Sequence, residues 1–438
     1  TESIINNLSQ IPKLRVMARS TVFRYKGREM DGKQVGHELG VRAVLTGRIL
    51  QRGEQLLIKT ELVDSIDGAL LWGEQYTRRL EDIFTVEEEM SGEISEQLRV
   101  KLSGAQKKRV TKRYTENTEA YQHYLKGRFY WNKRTEEAMQ RGIEYFQQAI
   151  DSDPSYALAY AGLADSYNLL ASYSMLASSD AFPRAKVAAT RALEFDEGLA
   201  EAHTSMSFVQ FGYDWDWAGA ETGFKRAIEL NPSYPMAHQW YSVMLAALGR
   251  FEESFAHVKL AQELDPLSLP ISTLVGWLHH LSRDYDRAIA HYKSTIELDG
   301  GFALAHRRLG QAYEQKQMFD EARDSFQKAE ELAGEDVELL SARGHLYGVL
   351  GEREKAEAAI EKLKVTSKRR YVPAYLVARA YAGMGETDLV FEWLETAYVE
   401  RYGYLAYLNV EPLFDGIRMD PRFSDLVRRV GLPEQQPI

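Results

Sequence analysis

Two rhythms of apolar residues divide the chain. Up to about residue 104 the spacing switches between helical and alternating; from about Glu119 a helical spacing repeats itself at near-constant intervals. In the first stretch "ESIINNLSQI" reads as a short amphipathic helix and "KLRVMA" as an extended run, while "DGKQVGHELG" reads as a helix ended by Gly40. Three β-type runs follow, "VRAVLTGRILQ", "EQLLIKTELVD" and "ALLWGEQYTRR", joined at the turn signals "RG" and "SIDG". "EDIFTVEEEMSGEISEQLRVKL" then places Ile83, Val86, Met90, Ile94 and Leu98 on one helical face. Together these elements predict a small α+β module with its helices on one face of a sheet.

The second rhythm is a repeat. "AIDSDP" begins at Ala149, "ALEFDE" at Ala192, "AIELNP" at Ala227, "AQELDP" at Ala261, "TIELDG" at Thr295 and "AEELAG" at Ala329, at offsets of 43, 35, 34, 34 and 34. A period of 34 with small residues, an aromatic and a closing Pro is the tetratricopeptide signature, two helices per repeat. The other marks fall into register. Small residues at the eighth position are Gly127, Ala164, Gly276, Gly310, Gly344 and Ala378. Aromatics at the eleventh include Tyr130, Tyr167, Phe211, Tyr313, Tyr347 and Tyr381. The small residues let the paired helices approach, the aromatics fill the space between repeats, and the Pro or Gly stops the second helix.

On these residues the chain resembles the tetratricopeptide-repeat family from about Glu119 to Gly403, with about eight repeats. The first two carry insertions between their helices, and the larger, "LLASYSMLASSDAFP", is expected to form a projecting loop. "SQIPKLRVMARSTVFRYKG", "ELGVRAVLTGRI" and "LWGEQYTRRLEDIFTVEEEMSGEI" resemble the TolB-type amino-terminal module of bacterial signalling proteins. That resemblance implies an upstream kinase, cyclase or winged-helix domain, often with one membrane span between. Family members open the module with an apolar strand absent from this sequence, so the sheet is expected to lack a strand. The fold class expected is mainly α, a tetratricopeptide solenoid after a small α+β domain. The expected divisions are the module at 1–104, a basic linker at 105–118, repeats at 119–404 and a capping helix with tail at 405–438. The cap is read from Phe423, Leu426, Val427 and Val430, which keep helical spacing but break the period.

Composition narrows the function classes. There is no cysteine, which excludes disulfides, thiolate metal sites and a cysteine nucleophile. A net charge of −10 argues against a general nucleic-acid binder. The charge is uneven: residues 1–113 carry 20 Lys+Arg against 16 Asp+Glu, the remainder 34 against 48. No apolar run is long enough to span a membrane. The chain starts without a methionine and reads as part of something longer, periplasmic behind an upstream span and otherwise cytoplasmic.

Candidate chemistry is sparse. The glycines of "GKQVGHELG" lack phosphate-loop order, "YDWDWAG" fails as a calcium loop at Ala218 and Lys225, and adjacent His279 and His280 diverge by about 100° on a helix. No catalytic group, metal site or cofactor is expected. The basic runs "KKRVTKR" (107–113) and "TSKRRY" (366–371) read as solvated segments, with docking to an anionic partner as the alternative.

The first helix of each tetratricopeptide repeat lines the concave face, and its inward positions nominate a partner-binding ladder. It comprises Asp165, Asn168, Gln239, Trp277, His280, Arg307, Gln311, Glu314, His345, Tyr375 and Arg379. The expected ligand is a protein or peptide segment held in that groove. The alternative is small-ligand sensing by the N-terminal module, for which a closed pocket against the first repeats would speak. In "YDWDWAGAE", Trp217 holds the position of Phe251, Tyr285 and Phe319 and is expected in the core of its hairpin, with Asp216 as N-cap. Trp215 is left over: it packs on the repeat-two insertion or serves as an exposed anchor.

Overall fold

A computed structural model of the chain describes residues 2–11, 14–28, 30–79, 82–98 and 112–433. The N-terminal part has short helices α1 (Glu2–Ser9), α2 (Arg19–Phe23) and α3 (Gly32–Leu39), then strands β1 (Ala43–Arg52), β2 (Gln55–Asp64) and β3 (Leu70–Arg79) and helix α4 (Ile83–Gln97). Asp31 caps α3, accepting from the Lys33 N–H, and Gly40 closes it in the left-handed conformation at φ 60. The strands form an antiparallel sheet in the order β1-β2-β3. On one face Leu62, Ile58, Trp72 and Tyr76 pack with α1 and α4, and Glu93 of α4 accepts from Trp72 Nε1 at 3.1 Å and from Tyr76 OH at 3.2 Å. Helices on one face alone were expected. Instead Gly32 of α3 lies against Val44 and Val63, which alternate to the opposite face.

From Thr118 the chain runs as antiparallel helix pairs: α5 (Thr118–Trp131) with α6 (Glu136–Ser152), α7 (Ala157–Ser172) with α8 (Ser178–Phe195), and α9 (Ala200–Val209) with α10 (Trp217–Leu230). These continue as α11 (Pro235–Ala247) with α12 (Phe251–Leu264), α13 (Leu269–Leu281) with α14 (Tyr285–Leu298), and α15 (Ala303–Gln315) with α16 (Phe319–Ala333). The last are α17 (Val337–Val349) with α18 (Arg353–Ser367) and α19 (Ala374–Gly383) with α20 (Thr387–Val399). The eighth-position glycines explain their own identity. A Cβ at Gly310 would sit 2.6 Å from the Phe326 ring, and one at Gly276 would sit 2.5 Å from Tyr292. Gly310→Ala is therefore expected to cost about 1–3 kcal/mol in urea unfolding, because the ring has no room to retreat.

The turn inside each pair needs one left-handed residue. Glycine supplies it at Gly249, Gly351 and Gly385, whereas Arg134, Ser174, Trp215, Arg283 and Gln317 adopt φ of 56–64 without it. The larger insertion does not project. Helix α7 runs on to Ser172 and α8 starts at Ser178, so most of it is helical, and Ser174 in the short turn is buried.

After α20 come two 3-10 turns, Gly403–Tyr407 and Pro412–Ile417, and helix α21 (Pro421–Val430). Phe423, Leu426, Val427 and Val430 are all buried. Beyond stacking on the last pair, this segment folds back across the inside of the superhelix. Tyr407 meets Trp277 of α13 at 4.8 Å between ring centroids, and Arg283 donates to the Val410 carbonyl at 2.7 Å. The N-terminal part docks elsewhere, along the turns between repeats. The Ala18 N–H donates to Leu264 O at 2.9 Å, Thr21 Oγ1 to Asp265 at 2.7 Å, and Asn231 Nδ2 to Ser9 Oγ at 3.0 Å.

Candidate partner-binding surface

The chain itself covers most of the inward ladder. Glu338, at the start of α17, is its hub. It accepts from Arg307 at 2.7 Å and Arg379 at 3.4 Å, and from Ser174 Oγ at 3.2 Å and Tyr402 OH at 3.4 Å. Arg379 also donates through Nη2 to the Glu338 carbonyl at 2.6 Å and through Nε to Ser341 Oγ at 2.8 Å. Burial pushes the Glu338 carboxyl up, but Arg307, Arg379 and Arg308 outweigh it and hold the group down at about 2. Ser174 comes from the repeat-two turn and Tyr402 from the C-terminal segment, 2.8 Å apart. One carboxylate thus ties together an early repeat, a late repeat and the C-terminus.

The neighbouring ladder positions are also engaged. Glu314 and His345 share a buried contact of 2.5 Å through His345 Nδ1. Gln311 accepts from Arg308, whose guanidinium lies 5.2 Å over Trp277. Tyr375 packs between Tyr402 and Phe414, with ring centroids at 5.5 Å to each. His280 lies edge-on to Tyr285, and burial, helped by Arg308 and Arg283, pulls its imidazole down to about 3, so it is neutral. At the other end Asp165 is bonded to Ser205 and lies 3.6 Å from Arg128, with burial raising its carboxyl to about 6. Asn168 donates to Ser205 O at 3.0 Å.

Of the eleven ladder residues, nine are buried; Gln239 and Arg307 are half-buried, and Arg307 is spent on Glu338. Little of the ladder is open: Tyr404 and Tyr407 of the C-terminal segment lie on Trp277, Tyr402 and Phe414 lie on Tyr375, and Glu314 and His345 close on each other. Sequence spacing finds inward positions but carries no information about what covers them. The clue was compositional, the aromatic run "YGYLAYL" directly after the last repeat.

Trp215 is half-buried, stacked on Tyr398 of α20 at 5.3 Å with the Arg401 guanidinium 5.0 Å from its ring. It packs on the last repeat and not on the repeat-two insertion. Asp216 does cap α10, accepting from the Gly219 N–H. Trp217 lies 6.1 Å from Phe211 and also donates through Nε1 to Val430 O at 3.2 Å, so it faces the C-terminal helix as well as its own hairpin.

A second feature lies between the N-terminal part and the first repeats. There α1, α4, α5 and α7 border a small cleft of about 50 Å³ whose lining includes Asn7, Phe84, Glu87, Tyr121, Tyr124 and Tyr156. Glu87 accepts from Tyr121 OH at 2.6 Å, and burial pushes its carboxyl up. Among the described residues no group of three or more His, Cys, Asp or Glu is placed to hold a metal, and no helix is long and apolar enough to cross a membrane. Of the basic run at 107–113, residues 107–111 lie outside the described residues. Lys112 pairs with Asp196 and Arg113 with Glu88.

The tetratricopeptide-repeat family model matches residues 216–268 and 282–337. The chain is 30% identical over 263 residues to "Putative adenylate cyclase 3" of Rhizobium meliloti, covering 58% of this chain and 38% of that protein. It is 23% identical over 166 residues to the transcriptional regulator HilA of Salmonella typhimurium, covering 38% of this chain and 30% of that one. The chain thus spans well under half the length of these relatives. Among solved structures, yeast Tom70 aligns at 17% identity with a TM-score of 0.46, covering 72% of this chain and 68% of that one. The helix pairs of the matched stretches are tetratricopeptide repeats, set within a longer solenoid of helix pairs that follows a small three-stranded antiparallel sheet with its helices.

Proposed function

We propose that this chain is a non-catalytic protein-interaction region of a bacterial regulatory protein, recruiting a partner protein for an effector. The observation that carries this reading is the repeat solenoid itself, a scaffold whose charged interior groups are spent on holding its own shape. The likeness to a protein named as an adenylate cyclase supports a regulatory setting. The N-terminal module is read as TolB-type, with divisions at 1–104, 105–118, 119–404 and 405–438. Within the ladder, partner contact is assigned to Gln239, whose side chain has no hydrogen bond among the described residues. Crosslinking of purified protein in lysate of its source bacterium is expected to enrich one protein saturably, with direct binding once that protein is purified. Reproducible turnover of a nucleotide or ester, lost on one carboxylate substitution, would replace this reading with an enzymatic one.

The cleft beside Glu87 supports a second reading, small-ligand sensing by the N-terminal module with the repeats transmitting the signal. A small-molecule panel is then expected to contain a compound that raises the melting temperature, and Asn6→Trp, at the cleft wall, is expected to abolish that rise. A flat response across the panel removes this reading.

A further inference from the structure

Two histidines meet nitrogen to nitrogen within the hairpin of α11 and α12. His238 Nδ1 lies 3.1 Å from His257 Nδ1, with ring centroids 5.3 Å apart. The far side of His238 is fixed, because its Nε2 lies 3.1 Å from Pro232 O. A carbonyl only accepts, so that nitrogen carries the ring proton and His238 Nδ1 offers a lone pair. His257 therefore donates from its own Nδ1, while its Nε2 makes no hydrogen bond among the described residues. His238 is buried and His257 half-buried. Burial pulls both imidazoles down, His257 to about 4 with His238 helping, so both are neutral near pH 7.

This is the bite of a two-imidazole chelate. Metal–nitrogen bonds of about 2.0–2.1 Å, meeting at a square-planar or tetrahedral angle, place two nitrogens about 2.9–3.4 Å apart. A metal-ligating histidine ordinarily gives its other N–H to a carbonyl or carboxylate, as His238 does to Pro232. The acids nearby are spent, Glu221 on Lys225 and Arg250, and Glu253 on Arg250. No third His, Asp or Glu completes a set among the described residues, which leaves the remaining positions to water. The next repeat supplies a comparison. His291 stands 34 residues after His257, but its ring lies parallel to that of His279 at 5.2 Å and the two share no hydrogen bond. Of the two pairs, only His238 and His257 bring nitrogens together.

We propose that His238 and His257 form a binding site for a late first-row divalent ion, zinc or copper, which clips α11 to α12. The ion takes both Nδ1 lone pairs. The His257 proton leaves Nδ1 for solvent and another from solvent ends on Nε2, so the ring stays neutral. The probe is zinc alone, titrated by calorimetry into the full chain after treatment with a chelator. The expected result is one saturable equivalent that also raises the melting temperature. Copper in the same site is expected to give an electron paramagnetic resonance spectrum with two coordinated nitrogens. His257→Ala is expected to weaken zinc binding at least about tenfold and to abolish the rise in melting temperature. His257→Gln, which keeps the bulk of the side chain, is expected to do the same, and His291→Ala to change neither. The proposal is overturned by absence of saturable zinc binding, by binding that survives both His257 variants, or by a copper spectrum with a single nitrogen. An equal loss in His291→Ala also overturns it, since zinc would then be shared among scattered histidines.

Discussion

Replacing Glu338 by alanine is expected to destabilise the protein by about 3–5 kcal/mol, read as a large fall in the urea midpoint with the slope unchanged. The side chain is 13% exposed and touches two guanidiniums, so its removal leaves Arg307 and Arg379 as buried cations without their carboxylate. Ser174 and Tyr402 lose an acceptor in the same step. Arg379→Ala is expected to cost less, because Arg307 still neutralises Glu338, and the two substitutions together less than their sum. The pH dependence gives an independent readout. Glu338 titrates at about 2 in the folded chain against an ordinary value of 4.5. The unfolded chain therefore binds more protons in that window. The stability from this group, about 3 kcal/mol, is fully present above pH 4.5 and is lost as the pH falls towards 2. In Glu338→Ala that part of the acid limb is expected to be absent. An unchanged urea midpoint would mean that the cluster contributes no net stability.

Two other buried acids act in the opposite sense. Burial raises Asp165 to about 6 and Glu201 to about 7, so the folded chain holds protons that the unfolded chain has released. Their contribution falls as the pH rises from about 4 to 7. Between about pH 4.5 and 7 stability therefore changes through Asp165 and Glu201, and below that range through Glu338.

The contrast between these interior groups and the repeat marks explains what a single sequence could convey. Gly276, Gly310 and their equivalents recur because each hairpin poses the same local packing problem, so their positions and the helix pairs were legible from the period. The three strands were legible from alternation and from the turns at Gly53 and Gly68. Closure was not. Ser174 reaches Glu338 across 164 residues and Tyr402 across 228, and contacts at such separations leave no periodic trace. Trp215 shows the same limit. Its register identified it as the odd residue of the intra-hairpin turn, but its partner, Tyr398, belongs to a helix that no local pattern connects to it. Register nominates positions on each first helix, but treating them as accessible assumes an open superhelix.

Deleting the chain from Tyr402 onward is expected to have the second large effect, and its location is the informative part. In an open solenoid each repeat contacts only its neighbours, so removing the end should loosen the last pair alone. In this chain the deleted segment touches repeats far from the end. Tyr407 packs on Phe211 and Trp277, Arg283 holds Val410 O and Asp415, and Trp217 holds Val430 O. Leu405, Tyr407, Leu408 and Phe414 are all buried, and burial of such side chains is worth about 1.5–3 kcal/mol each. Hydrogen exchange on the truncated chain should therefore show lost protection in Ala200–Asp214 and Leu269–Leu281 as well as in Ala374–Val399. Arg401→Ala, which removes the bond to Tyr213 O and the guanidinium over the Tyr213 and Trp215 rings, should show a fainter version confined to the turn around Gln210–Asp214. Loss restricted to the last helix pair would mean that the solenoid stands without its closing segment and that the inward ladder is available to a partner after all.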